Sequence, residues 1–480
     1  MPLGLGTNKT TNHSPIILTK EKKFPKCWKL VRVVPLHKKG STLDNKNYQP
    51  VALLSPFGKV LEKIMYKNMF DYFTKNPIFH DSLHGYRQLC STQSALIQMY
   101  DRWLDAASRK QVSGVILLDL SAAFDLVDHD ILDKKLEIYG LDHEFREWIR
   151  SYLYDRKQSV WINHCYSHFL NVDAGVPQGS NLGPLFFLIF YNDLPHALSC
   201  NVEAYADDST LSATGNTEEE ISEILTLNCE AVSLWMHQNK LKLNKDKTHI
   251  LTVGTDQRLR QANSAIEVQM GGLRLVESDS KCEQLLGVYI QSNLKWHQNI
   301  SSLQDKLQKR LAGLWKLKFI LPFSTLKTVI EGIFTSTVLY CLPVFGGCEK
   351  KYICSIQVLQ NKAARIATRA PPRFNRKLLF DRLKWLSVNQ LIAYHTLLTV
   401  FKIRNSGHPK YIAYKLRRDN QYGRIILPKY NLELVEKGFV IRGSRLWNSL
   451  PPNLRAIDKH QIFKGAIKQW TYESIPRFLD

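Results

Sequence analysis

Apolar and polar positions along this chain change period several times, and each change marks an element. From Trp28 the chain runs into LVRVVPLHKKG, an apolar alternation that predicts a strand ending in a basic turn at His37 to Gly40. Pro50 enforces an extended approach to Ser55 and Pro56, a pair that fits an N-cap followed by proline at the first helical position. The helix opened there is expected to use Val60, Ile64 and Met69 as its apolar positions, with Lys59, Lys63 and Lys67 between them. A basic turn at Gly85 to Arg87 leads to a helix starting at Ser91 or Thr92. Val115 to Leu120 (VILLDL) is a continuous apolar run, read as a buried strand that delivers Asp119 at its C-terminal end. Helices follow over DHDILDKKLEIYG and HEFREWIRSYLYD, then two short strands within KQSVWINHCYSHFLNVDAG. GVPQGSNLGPLFFLIFYNDL is a glycine- and proline-punctuated loop running into an apolar helix. Val202 to Leu211, VEAYADDSTL, reads as a tight strand-turn-strand with Asp207 and Asp208 at its tip.

A helix over 217–239 starts on three glutamates, which suits the helix dipole. LKLNKDKTHILTVG is a turn and strand carrying Lys242, Lys245 and Lys247, and QLLGVYIQSNLKW is a hairpin. Beyond residue 297 the period is helical. Leu303, Leu307, Leu311 and Trp315 recur every four residues beside Lys306 and Arg310, and Lys362, Arg365 and Arg369 share a face at i, i+3, i+7.

With 480 residues, 44% hydrophobic and 22% charged, the chain is globular and long enough for two or three domains. The longest apolar run, PLFFLIFY, falls well short of the ~18 residues of a membrane helix, and the first residues do not read as a secretory leader. The expectation is an intracellular protein, nuclear or cytoplasmic, with no membrane partner. Nine irregularly spaced cysteines fit free thiols in a reducing compartment; Cys341, Cys348 and Cys354 cluster loosely, without the CxxC or histidines of a zinc site. Charge changes the picture most. The formal net charge is +22, but residues 40–294 carry −9 and residues 295–480 carry +23. Such segregation is the footprint of a polyanion-binding protein.

Taken alone, Asp207 and Asp208 read as a solvated turn, because aspartate favours turns. Asp119 alters that reading. The element order between it and the pair allows an antiparallel sheet, with helices on one face, that brings both carboxylate sites onto neighbouring strands. Hard oxygen ligands with open positions suit Mg²⁺, which binds one or two carboxylates plus substrate phosphates. Two such ions about 3.5–4 Å apart serve phosphoryl transfer, which needs positioning and charge neutralisation more than covalent chemistry.

YADD, with LDLSAAFD upstream, GVPQGSNLGP between and LKLNKDKTHIL and LLGV after, resembles the reverse transcriptases of non-LTR (LINE-like) retrotransposons, closest to the jockey/CR1 type. The likeness runs in order from about Val33 to Trp296 and more loosely through RLWNSLPPNLR. It implies an α/β (α+β palm) right-hand polymerase fold with fingers, palm and thumb, plus a basic, mainly helical C-terminal domain. Expected boundaries are 1–23 as a disordered remnant, 24–110 as fingers, 111–297 as palm with part of the fingers inserted, 298–370 as thumb and 371–480 as the basic domain; the reverse transcriptase domain covers about 30–297. The implied activity is RNA-directed DNA synthesis from a primer 3′ end, with RNA template, DNA primer and dNTPs as partners and two Mg²⁺ ions, or Mn²⁺, as cofactor.

The resemblance implies Asp119 and Asp207 as principal metal ligands, Asp208 as a third carboxylate and the main-chain carbonyl of Leu120 as a further ligand. Phe124 falls where the family holds a ring against the sugar, excluding a 2′ hydroxyl. Asp125 is expected to cap the turn and helix. Gln178, Gly179 and Ser180 would line the nucleotide and template side, Lys247 would face the pyrophosphate and Arg87 the incoming triphosphate. Leu285 to Val288 would form the primer grip, while Lys306, Lys309, Arg310, Lys362, Arg365 and Arg369 would hold nucleic acid. One departure stands out: where the family has YRPI, this chain has Tyr48-Gln49-Pro50-Val51. The 24 residues before the polymerase region cannot hold the endonuclease usual in complete elements, so a truncated reading frame is expected. The rival readings are a catalytically inactive or co-opted RNA-binding protein of the same fold, and an RNA-dependent RNA polymerase, which Phe124 opposes.

Overall fold

The computed structural model describes residues 23–479 apart from 39, 245–246, 262–264, 278–279, 418 and 421–422. Lys245 and nearly all of the expected N-terminal remnant therefore lie outside the described residues. The chain begins with β1 (Leu30–His37), β2 (Tyr48–Leu53), α1 (Pro56–Lys75), α2 (Thr92–Ser108) and β3 (Val112–Ser121). Next come α3 (His129–Ile138), α4 (His143–Leu153), β4 (Arg156–Ile162), β5 (Cys165–Tyr166), β6 (Leu170–Val172) and α5 (Gly183–Tyr191). The hairpin β7 (Asn201–Tyr205) and β8 (Asp208–Gly215) precedes α6 (Glu218–Gln238), β9 (Lys242–Leu243), β10 (His249–Val253) and α7 (Asp256–Gln261). Two further hairpins are β11 (Glu267–Met270) with β12 (Leu273–Val276), and β13 (Cys282–Leu285) with β14 (Val288–Gln291). Helices dominate thereafter, led by α8 (His297–Leu317) and α9 (Phe323–Ile330). Among the described residues no helix is long and apolar enough to cross a membrane.

The chain forms two compact units from interleaved stretches. One gathers the residues up to His80 with Leu120–Ala197 and Leu234–Leu243; the other gathers Asp81–Asp119, Leu198–Ser233 and Asn244–Asp480. In the first, β1 pairs antiparallel with β2 and parallel with β4, and β4 carries β5 and β6. Three strands stand over 156–172, where two were expected within 157–175. Asn163 and His164 both take positive φ, the geometry of a two-residue turn that folds the chain back at once. Pro56 opens α1 as expected, but Ser55 contributes its main-chain carbonyl to Lys59 and makes no side-chain cap. The expected apolar face of α1 is corrected too. Glu62, Met65, Met69 and Phe73 form the buried stripe, and Val60 and Ile64 are 63% and 50% exposed. The bulky Met and Phe rows choose the packed face, leaving the smaller β-branched residues outside with the lysines.

In the second unit β3 is central, flanked antiparallel by β10 and by β8, with β7 beyond β8. Gly114 lets this sheet approach α6 closely: a Cβ there would lie 2.5 Å from Ile221 Cγ2. Helix α2 is buried on nearly every side, polar positions included, so those positions need partners, and the C-terminal helices supply them. Tyr411 donates to Asp105 at 2.6 Å, Lys415 bridges Asp101 and Asp105, and Gln93 donates to Thr399. Burial pushes the Asp101 carboxyl up to about 6 despite Lys415. Residues beyond 371 thus share one core with α2, α8 and α9.

Two helical expectations are corrected here. On α8 the buried stripe is Leu303, Leu307, Leu311 and Leu314; Trp315 is exposed, because a four-residue step drifts around a 3.6-residue helix. Arg369 does not continue the face of α10 (Lys350–Thr368). It sits past the helix end at φ 58° and donates to the carbonyls of Lys318 and Leu321.

Candidate active site

Strand β3 brings Asp119 into direct cross-strand register with Asp208 on β8. Side chains paired this way stand about 5 Å apart at Cβ, and like charges so placed repel. Tyr205 pairs with Asp208 across the β7–β8 hairpin, leaving Ala206 and Asp207 as its two-residue loop, with Ala206 at φ 60°. Asp208 keeps access to solvent. Desolvation by its surroundings, then the charges of Asp207 and Asp119, nevertheless push its carboxyl up to about 6, with Lys247 pulling the other way. The Lys247 ammonium lies 3.1 Å from Asp119 Oδ2. It serves there as counter-ion to the carboxylate site.

A cavity of about 260 Å³ opens on this cluster, lined by Asp119, Asp208, Lys247 and the β13–β14 hairpin residues Glu283 to Leu286. The hairpin turn, Leu286 and Gly287, has positive φ at both residues. Tyr340 donates its hydroxyl to the Leu286 carbonyl at 2.7 Å and packs its ring where a Gly287 side chain would stand.

The loop 82–87 is the part of this site that the sequence did not disclose. It adds itself to the edge of β7: Ala204 donates to Ser82, His84 donates to Ala204, and Leu83 bridges Ala204 in parallel. Gly85 makes this possible, since a Cβ there would fall 2.4 Å from the Ala206 main-chain nitrogen. Tyr86 lies close enough to Asp207 that, after burial, the aspartate charge raises its phenol. Arg87 donates to the Leu83 carbonyl within the same loop. Beneath it His84 meets Glu203 at 2.7 Å, and Gln98 donates to the other Glu203 oxygen. Burial works against a charged His84, but its contacts with Cys90 and Glu203 outweigh it and raise the imidazole to about 9.

A histidine raised above its ordinary 6.5 lends its full stabilisation below that pH and loses it as pH climbs through about 9. Thermal melts from about pH 6 to 10 should show the parent weakening over that window. Glu203→Gln should be less stable at the low end and flatter across it. Parallel curves would assign the pH dependence to another group.

The other expected nucleotide-side residues belong to the first unit. Leu120 is buried and pairs with Leu243 in the β3–β9 ladder. Phe124 packs against Phe187 with ring centroids 4.8 Å apart and ring planes inclined at 31°. Gln178 donates through Nε2 to both oxygens of Asp125 at 2.9 Å, and its carbonyl accepts from Ala52. Asp125 therefore braces the Gln178 loop; the cap of α3 is Asp128, which accepts from Ile131, and the expectation of Asp125 as a cap is corrected. Gly179 is exposed at φ 109°. Ser180 is buried, its hydroxyl accepting from Gly183 at the start of α5. Buried Glu62, raised by desolvation, accepts from Tyr152 and the Asn181 amide and anchors this loop from below.

Asp119 and Asp208 supply two hard oxygen donors, with Asp207 next in the chain. This fits a cation that completes its shell from water and phosphate. Among the described residues no three His, Cys, Asp or Glu side chains converge into a closed cage.

Mixed sheet, carboxylate hairpin and helical C-terminal region define a right-hand polymerase fold. The chain belongs to the reverse transcriptase (RNA-dependent DNA polymerase) family, whose model matches residues 36–293; reverse transcriptases use divalent metal ions. Its relatives include the "probable RNA-directed DNA polymerase from transposon BS" of Drosophila melanogaster, 28% identical over 78% of this chain and 42% of that protein. The "RNA-directed DNA polymerase from mobile element jockey" of Drosophila melanogaster is 26% identical over 72% of this chain and 38% of its own length. These relatives bear out the jockey-type likeness. The chain spans about two-fifths of their length. An apo telomerase from Candida tropicalis overlaps 95% of this chain and 70% of its own at 11% identity and a TM-score of 0.45, a likeness too loose to build on.

Proposed function

We propose that this chain is an RNA-directed DNA polymerase that extends a primer 3′ end with dNTPs on an RNA template. One observation carries the reading: Asp119 stands in cross-strand register with Asp208 inside the YADD hairpin. Asp119, Asp207, Asp208 and the Leu120 carbonyl would hold two Mg²⁺ ions, with Mn²⁺ as a substitute. When bound, such ions favour the primer alkoxide and neutralise the leaving pyrophosphate. Lys247 would lend positive charge on the pyrophosphate side, and Arg87 would meet the triphosphate. Gln178, Gly179 and Ser180 would border the nucleotide, with Ser180 acting by shaping the loop. The lobes expected at 24–110, 111–297, 298–370 and 371–480 belong to the same proposal. Exposed Lys306, Lys309 and Lys362, with Arg365, are the phosphate contacts best suited to it, since Arg310 and Arg369 already donate to main-chain carbonyls. Such contacts make affinity fall with salt.

Extension of oligo(dT) on poly(rA) with Mg²⁺ and dTTP tests the reading. Incorporation is expected; none from folded protein that still binds RNA would leave the RNA-binding alternative. We further assign sugar selection to Phe124. Phe124→Ala should raise ribonucleotide incorporation relative to dNTP use at least tenfold. An unchanged ratio would remove Phe124 from that role.

A further inference from the structure

The turn between α8 and α9 carries rings that the polymerase reading leaves unused. Trp315 is 54% exposed, Phe319 73%, Ile320 74% and Phe323 40%, while Leu314 and Leu326 alongside are buried. Exposed aromatic surface of this kind is costly unless something covers it part of the time. The local charge indicates what. Residues 306–330 contain Lys306, Lys309, Arg310, Lys316, Lys318 and Lys327 and not one acidic residue. Lys318 is only 8% exposed, and among the described residues no carboxylate forms an ion pair with it. Its ammonium sits instead 4.5 Å from the Trp315 ring centroid and 5.3 Å from that of Phe319. Arg382 approaches the Phe323 ring at 5.4 Å. The turn is also held in place. Arg369 donates Nε to the Lys318 carbonyl at 3.0 Å and Nη2 to the Leu321 carbonyl at 2.9 Å. Exposed rings on a pinned turn, with a cation tucked against them and the flanking acid Glu331 engaged by Lys327 alone among these bases, offer stacking faces and phosphate attraction together.

We propose that this turn is a stacking platform for unpaired nucleotides of single-stranded RNA or DNA. A duplex keeps its base faces stacked inside and offers only phosphate. A single strand offers both faces and charge, and a base stacked on an aromatic side chain contributes enough to change affinity about tenfold. Trp315 and Phe319 are the stacking residues, Lys316 and Lys318 attract the backbone, and Arg369 acts as a positioning residue. The platform does not depend on catalysis, so it stands or falls separately from the polymerase reading.

The test is fluorescence anisotropy of the full chain with labelled rU20 and dT20, and with a 20-base-pair RNA–DNA hybrid, over a salt series. Trp315→Ala combined with Phe319→Ala alters only exposed side chains. It should weaken single-strand affinity about tenfold or more, leave hybrid affinity within twofold and keep the salt slope unchanged. Lys316→Gln should instead lower the salt slope by about one. Arg369→Lys, which keeps the charge but loses the two-carbonyl bridge, should reproduce part of the single-strand loss. Equal losses on single strand and hybrid, or single-strand affinity within twofold of the parent, would overturn the proposal. So would parent protein that self-associates, or binds anionic phosphatidylserine vesicles, through the same two rings while ignoring rU20 and dT20.

Discussion

Asp207→Asn and Asp119→Asn are each expected to cut primer extension by about three orders of magnitude while leaving RNA affinity within twofold. Removing a carboxylate from a metal-dependent phosphoryl-transfer site removes charge compensation that nothing nearby replaces. In the proposed reading RNA is held by the basic helices, which would have no need of these residues. Asp208→Asn should behave differently in one respect. At neutral pH its charge faces Asp119 across the sheet and adjoins Asp207, and its carboxyl is raised to about 6. A raised carboxylate costs stability above its folded pKa and returns it as pH falls through that value. In metal-free buffer at about pH 7, Asp208→Asn should therefore melt higher than the parent, with the advantage shrinking as pH falls below about 6 and lost near the ordinary carboxylate value of 3.8. Its extension should nonetheless drop sharply. A variant that keeps parental extension would remove its residue from the metal site. A lower melting point for Asp208→Asn would show that the carboxylate is compensated within the fold.

Gly85→Ala carries the second large effect. The added methyl would meet the Ala206 nitrogen at 2.4 Å and the Tyr205 carbonyl carbon at 3.1 Å, and both are main-chain atoms of the aspartate hairpin. Neither can swing aside as a side chain would, so either the loop leaves the edge of β7 or the hairpin shifts. Overpacking of this kind costs about 1–3 kcal/mol, readable as a lower urea midpoint. The functional loss should be larger, about a hundredfold in kcat, because displacements near 1 Å at a reacting centre have that effect. RNA affinity should hold. Parental extension by Gly85→Ala would mean that loop 82–87 does not set the position of Asp207.

Much of the site was legible from residue order. VILLDL had to be a buried strand delivering Asp119, because an unbroken apolar run of that length has few other uses. YADD read as a hairpin tip because aspartate favours turns, and the structure corrects half of it: Ala206 and Asp207 make the turn, while Asp208 is already the first residue of β8. The signals at Pro56 and Ser91 opened helices where expected, and the glycine- and proline-punctuated loop after residue 175 ran into the apolar helix α5. Charge segregation pointed to a polyanion before any fold was known. These features depend on local preferences and on period, which neighbouring residues in the chain settle among themselves.

Other features depend on which surfaces meet across long separations. Spacing assigned the packed face of α1 to Val60, Ile64 and Met69; bulk moved it to Met65, Met69 and Phe73. Helical spacing placed Arg369 in a basic stripe, but a left-handed residue at the helix end turned it onto two carbonyls. The HGYR loop read as a basic turn, and only the edge of β7, well over a hundred residues later, explains why its glycine must be glycine.

The aspartate hairpin gathers both kinds of information. Sequence alone determined that carboxylates stand at a strand end and at a hairpin tip, because strand period and turn chemistry are local. Only the tertiary structure decided that Asp208 is the residue facing Asp119, that Lys247 compensates them and that loop 82–87 braces the turn. Register between strands 89 residues apart is set by the packing of whole faces, and a shift of one residue would have exchanged every partner.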